Sequence, residues 1–109
     1  MPNVYKVLGQ SNPSATTATT LYTVPSSTST VVSTIMVTNQ GASAGTFRIA
    51  IRPAGESLAN KHYIAFDITI AALDSLAVTV GLTLATTDVI TVYSSTATMS
   101  FSAYGSEIS

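Results

Sequence analysis

Apolar and polar residues alternate along much of this chain. Successive side chains of a strand point to opposite faces, so a period of two marks a strand with one face turned inward. Thr46–Arg52 is the clearest case: Phe47, Ile49 and Ile51 point one way, Arg48, Ala50 and Arg52 the other. Lys61–Ile70 places Ile64, Phe66, Ile68 and Ile70 on one face, and Ser75–Leu82 does the same with Leu76, Val78, Val80 and Leu82. Thr98–Tyr104 sets Met99, Phe101 and Ala103 against Ser100, Ser102 and Tyr104. In Thr30–Asn39 the alternation puts Val31, Ile35 and Val37 on one face and Val32 and Met36 on the other. Val4–Leu8, Thr20–Val24 and Val89–Tyr93 complete eight predicted strands. Gly41–Gly45 and Pro53-Ala54-Gly55 supply turns. No window carries an apolar stripe at helical spacing with a charged opposite face.

Strands recurring roughly every 8 to 12 residues with turn signals between them point to a sandwich or barrel. No helix is predicted that would cover a parallel sheet, so the pairing should be antiparallel. The expected fold is one all-β domain over residues 1–109, an antiparallel β-sandwich of about eight strands, jelly-roll or immunoglobulin-like. Its expected core holds Phe47, Ile49, Ile64, Phe66, Ile68, Val78, Val80 and Phe101.

Composition sharpens this. Eighteen Thr and fifteen Ser dominate the polar residues, and Thr suits a pleated surface. Charged residues are 8% of the chain, against about a quarter in ordinary domains. Nine charges cannot cover a monomer's surface, which must be Ser, Thr and Ala or be partly covered by neighbours. A net charge of −1 offers nothing to attract nucleic acid or an anionic membrane. No apolar run approaches the ~20 residues of a spanning helix, and MPNVYKVLGQ lacks the pattern of a signal peptide. Without cysteine there is no disulfide or thiolate site. Synthesis and assembly in the cytoplasm is the simplest expectation.

Candidate chemistry is sparse. His62 is the only histidine, and strict alternation puts Asp67 on the opposite face of its strand; no nucleophile elbow accompanies it. Glu56, Asp67, Asp74, Asp88 and Glu107 form no calcium-loop spacing, and one histidine cannot build a zinc site. Asp74 and Asp88 read as turn residues bonding to nearby backbone N–H groups. No catalytic residue, metal or cofactor is expected. Arg48 and Arg52 share one polar strand face; they either pair with carboxylates on neighbouring strands or reach a partner protein. Tyr5, Tyr22, Tyr63, Tyr93 and Tyr104 are core rings or contact residues.

The run Thr19-Thr20-Leu21-Tyr22-Thr23-Val24-Pro25, then Thr30–Ile35 and Val37-Thr38-Asn39, forms a pattern with Thr46-Phe47-Arg48-Ile49 and Arg52-Pro53-Ala54-Gly55. Gly81–Tyr93 and Ser100-Phe101-Ser102 extend it over nearly the whole chain. Together these resemble a family of small virion proteins of tailed bacteriophages, frequent in phages of cyanobacteria and other aquatic bacteria. The resemblance is one of strands and turns and holds no catalytic signature. Where that family often carries Asn before the Asp of the sixth turn, this chain has Leu73.

The resemblance implies a particle component: a many-copy capsid decoration or cement protein, or a tail, neck or fibre part. A module holding host-surface glycan is the alternative from another class. The expected partners are copies of itself, a trimer by preference because shells offer many three-fold points, and phage capsid or tail proteins. Arg48, Arg52, Tyr22 and Tyr104 are the expected interface residues. The expected location is the virion, assembled in the host cytoplasm.

Overall fold

The structure is a computed structural model that describes residues 3–79 and 81–109. The described residues form nine strands: β1 Asn3–Ser11, β2 Thr19–Thr23, β3 Ser29–Asn39, β4 Gly45–Arg52, β5 Tyr63–Ile70, β6 Ser75–Val78, β7 Leu82–Leu84, β8 Val89–Ser94 and β9 Met99–Ile108. Two short 3₁₀ turns, Pro53–Gly55 and Asn60–His62, lie between β4 and β5. One sheet runs β1-β9-β3-β6 with β7 also on β3; the other runs β2-β8-β4-β5. Every pairing is antiparallel.

β6 lies along Ile35–Thr38 of β3 and β7 along Thr30–Val32, so the two are halves of one broken strand. The predicted strand Ser75–Leu82 is therefore interrupted, with Gly81 at φ +58° in the break. Val80, expected in the core, lies outside the described residues. Counting β6 and β7 together leaves eight strands. The first pairs with the last, the second with the next to last, the third with the sixth, and the fourth with the fifth. That is a long hairpin rolled into two sheets, a jelly roll. The immunoglobulin-like alternative is set aside by this strand order.

The inward faces meet in one core. Val32, Ile35, Val37, Phe47, Ile49, Ile90, Val92, Met99 and Ala103 are fully buried, and Phe101 nearly so. The Phe47 ring from one sheet meets Phe101 from the other edge to face, with centroids 6.1 Å apart.

Bulges shift the expected faces of two strands. On β5, Ile68 opposes Phe47 but Ala65 opposes Ile49, so three steps on β5 match two on β4. Asp67, at φ +52°, lies within that offset. Ile64 and Phe66 are consequently exposed (43% and 50%), which corrects their expected place in the core. Ile68 shares a face with Phe47 but sits on the edge strand, 40% exposed. Val78 packs on the core while only partly buried. On β3, Val32 opposes Gly105 and Thr34 opposes Tyr104, leaving Ser33 as the extra residue. Val32, not Val31, therefore shares the buried face of Ile35 and Val37.

Leu73 closes the β5–β6 turn at φ +57° with its side chain 77% exposed. The left-handed region costs an L-residue about 1–2 kcal/mol, and Asn tolerates it better. Leu73→Asn should raise stability by about 0.5–1 kcal/mol in a denaturant titration. No gain would mean that the turn carries no strain at this position.

Candidate functional site

The two outward sheet faces differ in charge. The register of the five-stranded sheet aligns three rows across β1, β9 and β3: Tyr5–Ser106–Val31, Val7–Tyr104–Thr34 and Gln10–Ser102–Met36. Ser75 and Ala77 of β6 and Thr83 of β7 extend the same face. None of these residues is charged. The nine charges lie elsewhere: Lys6 and Glu107 on the opposite parity of their strands, Arg48, Arg52 and Asp67 on the four-stranded sheet, Glu56 and Lys61 in the β4–β5 loop, and Asp74 and Asp88 in turns.

The outer face of the four-stranded sheet centres on Arg48. Its guanidinium carbon lies 4.1 Å from the Phe66 ring centroid and 4.4 Å from that of Tyr93. Tyr63 stands edge to face with Phe66 at 4.9 Å. Nε and Nη2 of Arg48 donate to Oδ1 and Oδ2 of Asp67 at 2.6 and 3.3 Å. A planar guanidinium can stack on rings and bind a carboxylate at once. Arg48 thereby holds Asp67 below the usual carboxylate range. Of the two alternatives posed by the sequence, this chain shows the pairing with a neighbouring strand. Arg52 donates to Thr91 Oγ1 and to the Glu56 carbonyl, both at 3.0 Å.

Tyr22 belongs elsewhere than expected. It is buried, and its hydroxyl donates to Glu107 Oε2 at 2.6 Å and lies 2.8 Å from Thr30 Oγ1. A ring so enclosed has almost no surface to offer a partner; Tyr22 instead joins β2 of one sheet to β9 and β3 of the other. Lys6 donates to Glu107 Oε1 at 3.3 Å. Burial, then the hydrogen bond to Glu107, pushes the Tyr22 phenol up to about 12. The same bond, helped by Lys6, holds Glu107 below its ordinary value. Tyr104 does face outward, in the middle row of the five-stranded sheet.

His62 is buried at the end of a 3₁₀ turn. Its Nδ1 accepts from Ala59 N–H at 3.0 Å, which leaves the proton on Nε2, 3.2 Å from Glu56 Oε1. Glu56 is held low first by His62 and then by Lys61. This set organises the β4–β5 loop. Asp88 accepts from Ala54 N–H and Ala85 N–H, both at 2.9 Å, and Asp74 from Ser75 N–H at 2.8 Å, as turn residues do. Among the described residues no three His, Cys, Asp or Glu side chains are grouped to hold a metal ion, and no helix is long and apolar enough to cross a membrane.

Asn39 is a determinant that periodicity does not reveal. It is fully buried; Nδ2 donates to the Ser43, Ile70 and Ala71 carbonyls, and Oδ1 accepts from Gly41 N–H and Thr98 Oγ1. One amide thus ties three loops at one end of the sandwich. The available signal was an Asn ending an apolar strand just before the turn glycine Gly41.

Two expectations follow from the Tyr22–Glu107 clasp. Tyr22→Phe should cost about 1.5–3 kcal/mol, typical of a hydrogen bond to a charged group, and a titration showing no loss would mean the bond is not formed. Glu107, Asp67 and Glu56 are depressed, so their stabilisation is complete above about pH 4.5 and disappears as pH falls through their folded values. Tyr22 is raised, so its contribution is complete below pH 10 and is lost as pH rises toward 12. Chemical denaturation across pH should give a plateau between these limits. A curve still rising from pH 6 to 9 would contradict it.

Compared with protein-family models, with curated proteins and with solved structures, the chain matches none.

Proposed function

We propose that the protein is a non-catalytic structural part of a bacteriophage particle, present in many copies as a capsid decoration or cement protein. A tail, neck or fibre position is the alternative within the same class. The observation that carries the reading is the outward face of the five-stranded sheet, whose three outward rows bear no charge and expose Tyr5 and Val7. A lone soluble domain keeps such a face mixed and charged; an assembly part covers it. The jelly roll adds support by analogy only, since it recurs in viral capsid and lectin domains. A three-fold arrangement is proposed from shell symmetry, which repeats a contact around an axis. Arg48, Arg52 and Tyr104 remain proposed contact residues, with Tyr104 on the uncharged face.

A glycan-binding module is the second reading, favoured by the Phe66, Tyr63 and Tyr93 rings beside Asp67. Against it, Arg48 and Asp67 satisfy each other, and the guanidinium lies against Phe66 and Tyr93.

The test is addition of the purified protein to phage particles lacking it, followed by sedimentation and imaging. Saturable co-sedimentation with density at regular shell or tail positions is expected. Absence from the particle fraction, together with binding to a glycan array, would replace this reading with the second.

A further inference from the structure

We propose that two copies of this chain pack face to face, about a two-fold axis, through the outer face of the five-stranded sheet. The inference rests on the assembly reading only in taking the protein to act in more than one copy.

Charge is the first argument. A two-fold contact brings a patch against its own copy, so a charge near the axis approaches its like, and one off the axis needs an opposite charge elsewhere in the same patch. The outer face of the four-stranded sheet carries Arg48, Arg52 and Asp67, and self-pairing there would desolvate ions beside their equivalents. The three outward rows of the other face carry no charge, and Lys6, which borders the groove there, is already paired with Glu107 of the same chain. Its Ser and Thr hydroxyls both donate and accept, so they can pair with themselves across the axis.

Relief and apolar content give the second. Tyr5 is 81% exposed, the most of any large apolar side chain among the described residues, with Val31 exposed in the same row and Val7 in the next. Beside Tyr5 lies a shallow groove of about 400 Å³, walled by Lys6, Val31, Ser33, Tyr104 and Ser106 over Gly105. It lies beside the point where Ser33 bulges out of register. A projecting ring next to a groove is self-complementary: a two-fold axis near them lets each Tyr5 enter the other copy's groove.

Area is the third. β9 has 10 residues, about 33 Å of strand, and four strands abreast span about 19 Å. The face therefore offers more than about 600 Å² per copy, and a pair reaches the roughly 1,200 Å² at which specific interfaces begin. A patch that complements itself closes at two, so the pair, rather than the trimer suggested by shell symmetry, is the unit formed by the free protein.

Size-exclusion chromatography with light scattering at about 100 μM, a concentration suited to a micromolar pair, provides the test. The wild type should show twice the 11.2 kDa chain mass. Ser102→Asp, in the middle strand of the Gln10–Ser102–Met36 row, should give monomer. Mixing it with Ser102→Lys should restore a dimer containing one of each. Thr69→Asp, on the outer side of the four-stranded sheet, should leave the dimer intact. A wild-type monomer or trimer, or a dimer indifferent to Ser102→Asp, overturns the proposal. If Ser102→Asp does not fold by circular dichroism, Tyr5→Ser decides: the dissociation constant should rise at least about tenfold, and an unchanged value overturns the proposal. A monomer that still co-sediments with particles removes the pairing and keeps the particle role; a dimer that does not co-sediment does the reverse.

Discussion

Phe101→Ala should cost about 3–5 kcal/mol, the loss typical of truncating a buried ring. Phe101 is 1% exposed on β9, which lies between β1 and β3. Its partner Phe47 comes from β4 of the other sheet, at an interplanar angle of 85°. The chain has three Phe and no Trp, and Phe66 lies on the outer face, so these two rings are the largest buried pair joining the sheets. Removing one leaves a cavity between two sheets whose backbones are fixed by their ladders, and such a site collapses poorly. Domains of this kind have about 5–15 kcal/mol in all, so the variant should sit near the edge of folding. Denaturant unfolding gives the comparison; a loss under about 1 kcal/mol would place the ring outside the core.

The contrast between Phe101 and Phe66 shows where the sequence was legible. β4 and the first part of β9 run in unbroken alternation, so Phe47, Ile49 and Phe101 fall inward where their spacing puts them. Phe66 alternates just as cleanly in sequence, yet an extra residue on β5 turns it outward. A bulge reverses every face beyond it, and nothing in a row of Ile, Phe, Asp and Ile marks the residue that will be left unpaired. The same applies to Ser33 on β3. Strand order was open in the sequence because pairings between distant segments have no local signature. The candidate surfaces divide likewise. Arg48 and Asp67 were visible as a cross-strand possibility, whereas the Tyr22–Glu107 bond joins segments 85 residues apart. The uncharged face emerges only when the rows of β1, β9 and β3 are aligned.

The edges of the two sheets supply the second large effect. At Gly9, β1 of one sheet runs backbone to backbone against β2 of the other. A Cβ on Gly9 would overlap the Leu21 carbonyl oxygen and stand 3.2 Å from its carbon. These are main-chain atoms, so no rotamer relieves the collision and the strands must part. Parting them also strains the Tyr22–Glu107 clasp, since Tyr22 follows Leu21 directly. Gly9→Ala should therefore cost at least about 3 kcal/mol, beyond ordinary overpacking. Gly81→Ala is the control: nothing lies within 4 Å of its Cβ position, and only its φ of +58° opposes the change, at about 1–2 kcal/mol. Equal losses in the two variants would mean that β1 and β2 are not in backbone contact. With that side closed, the open edges are β5 and the β6–β7 strand. One is bulged and the other broken, both features that discourage strand addition. The proposed pairing accordingly uses faces rather than edges, and Gly9→Ala should be the variant that favours strand-paired aggregate, read by light scattering and thioflavin fluorescence.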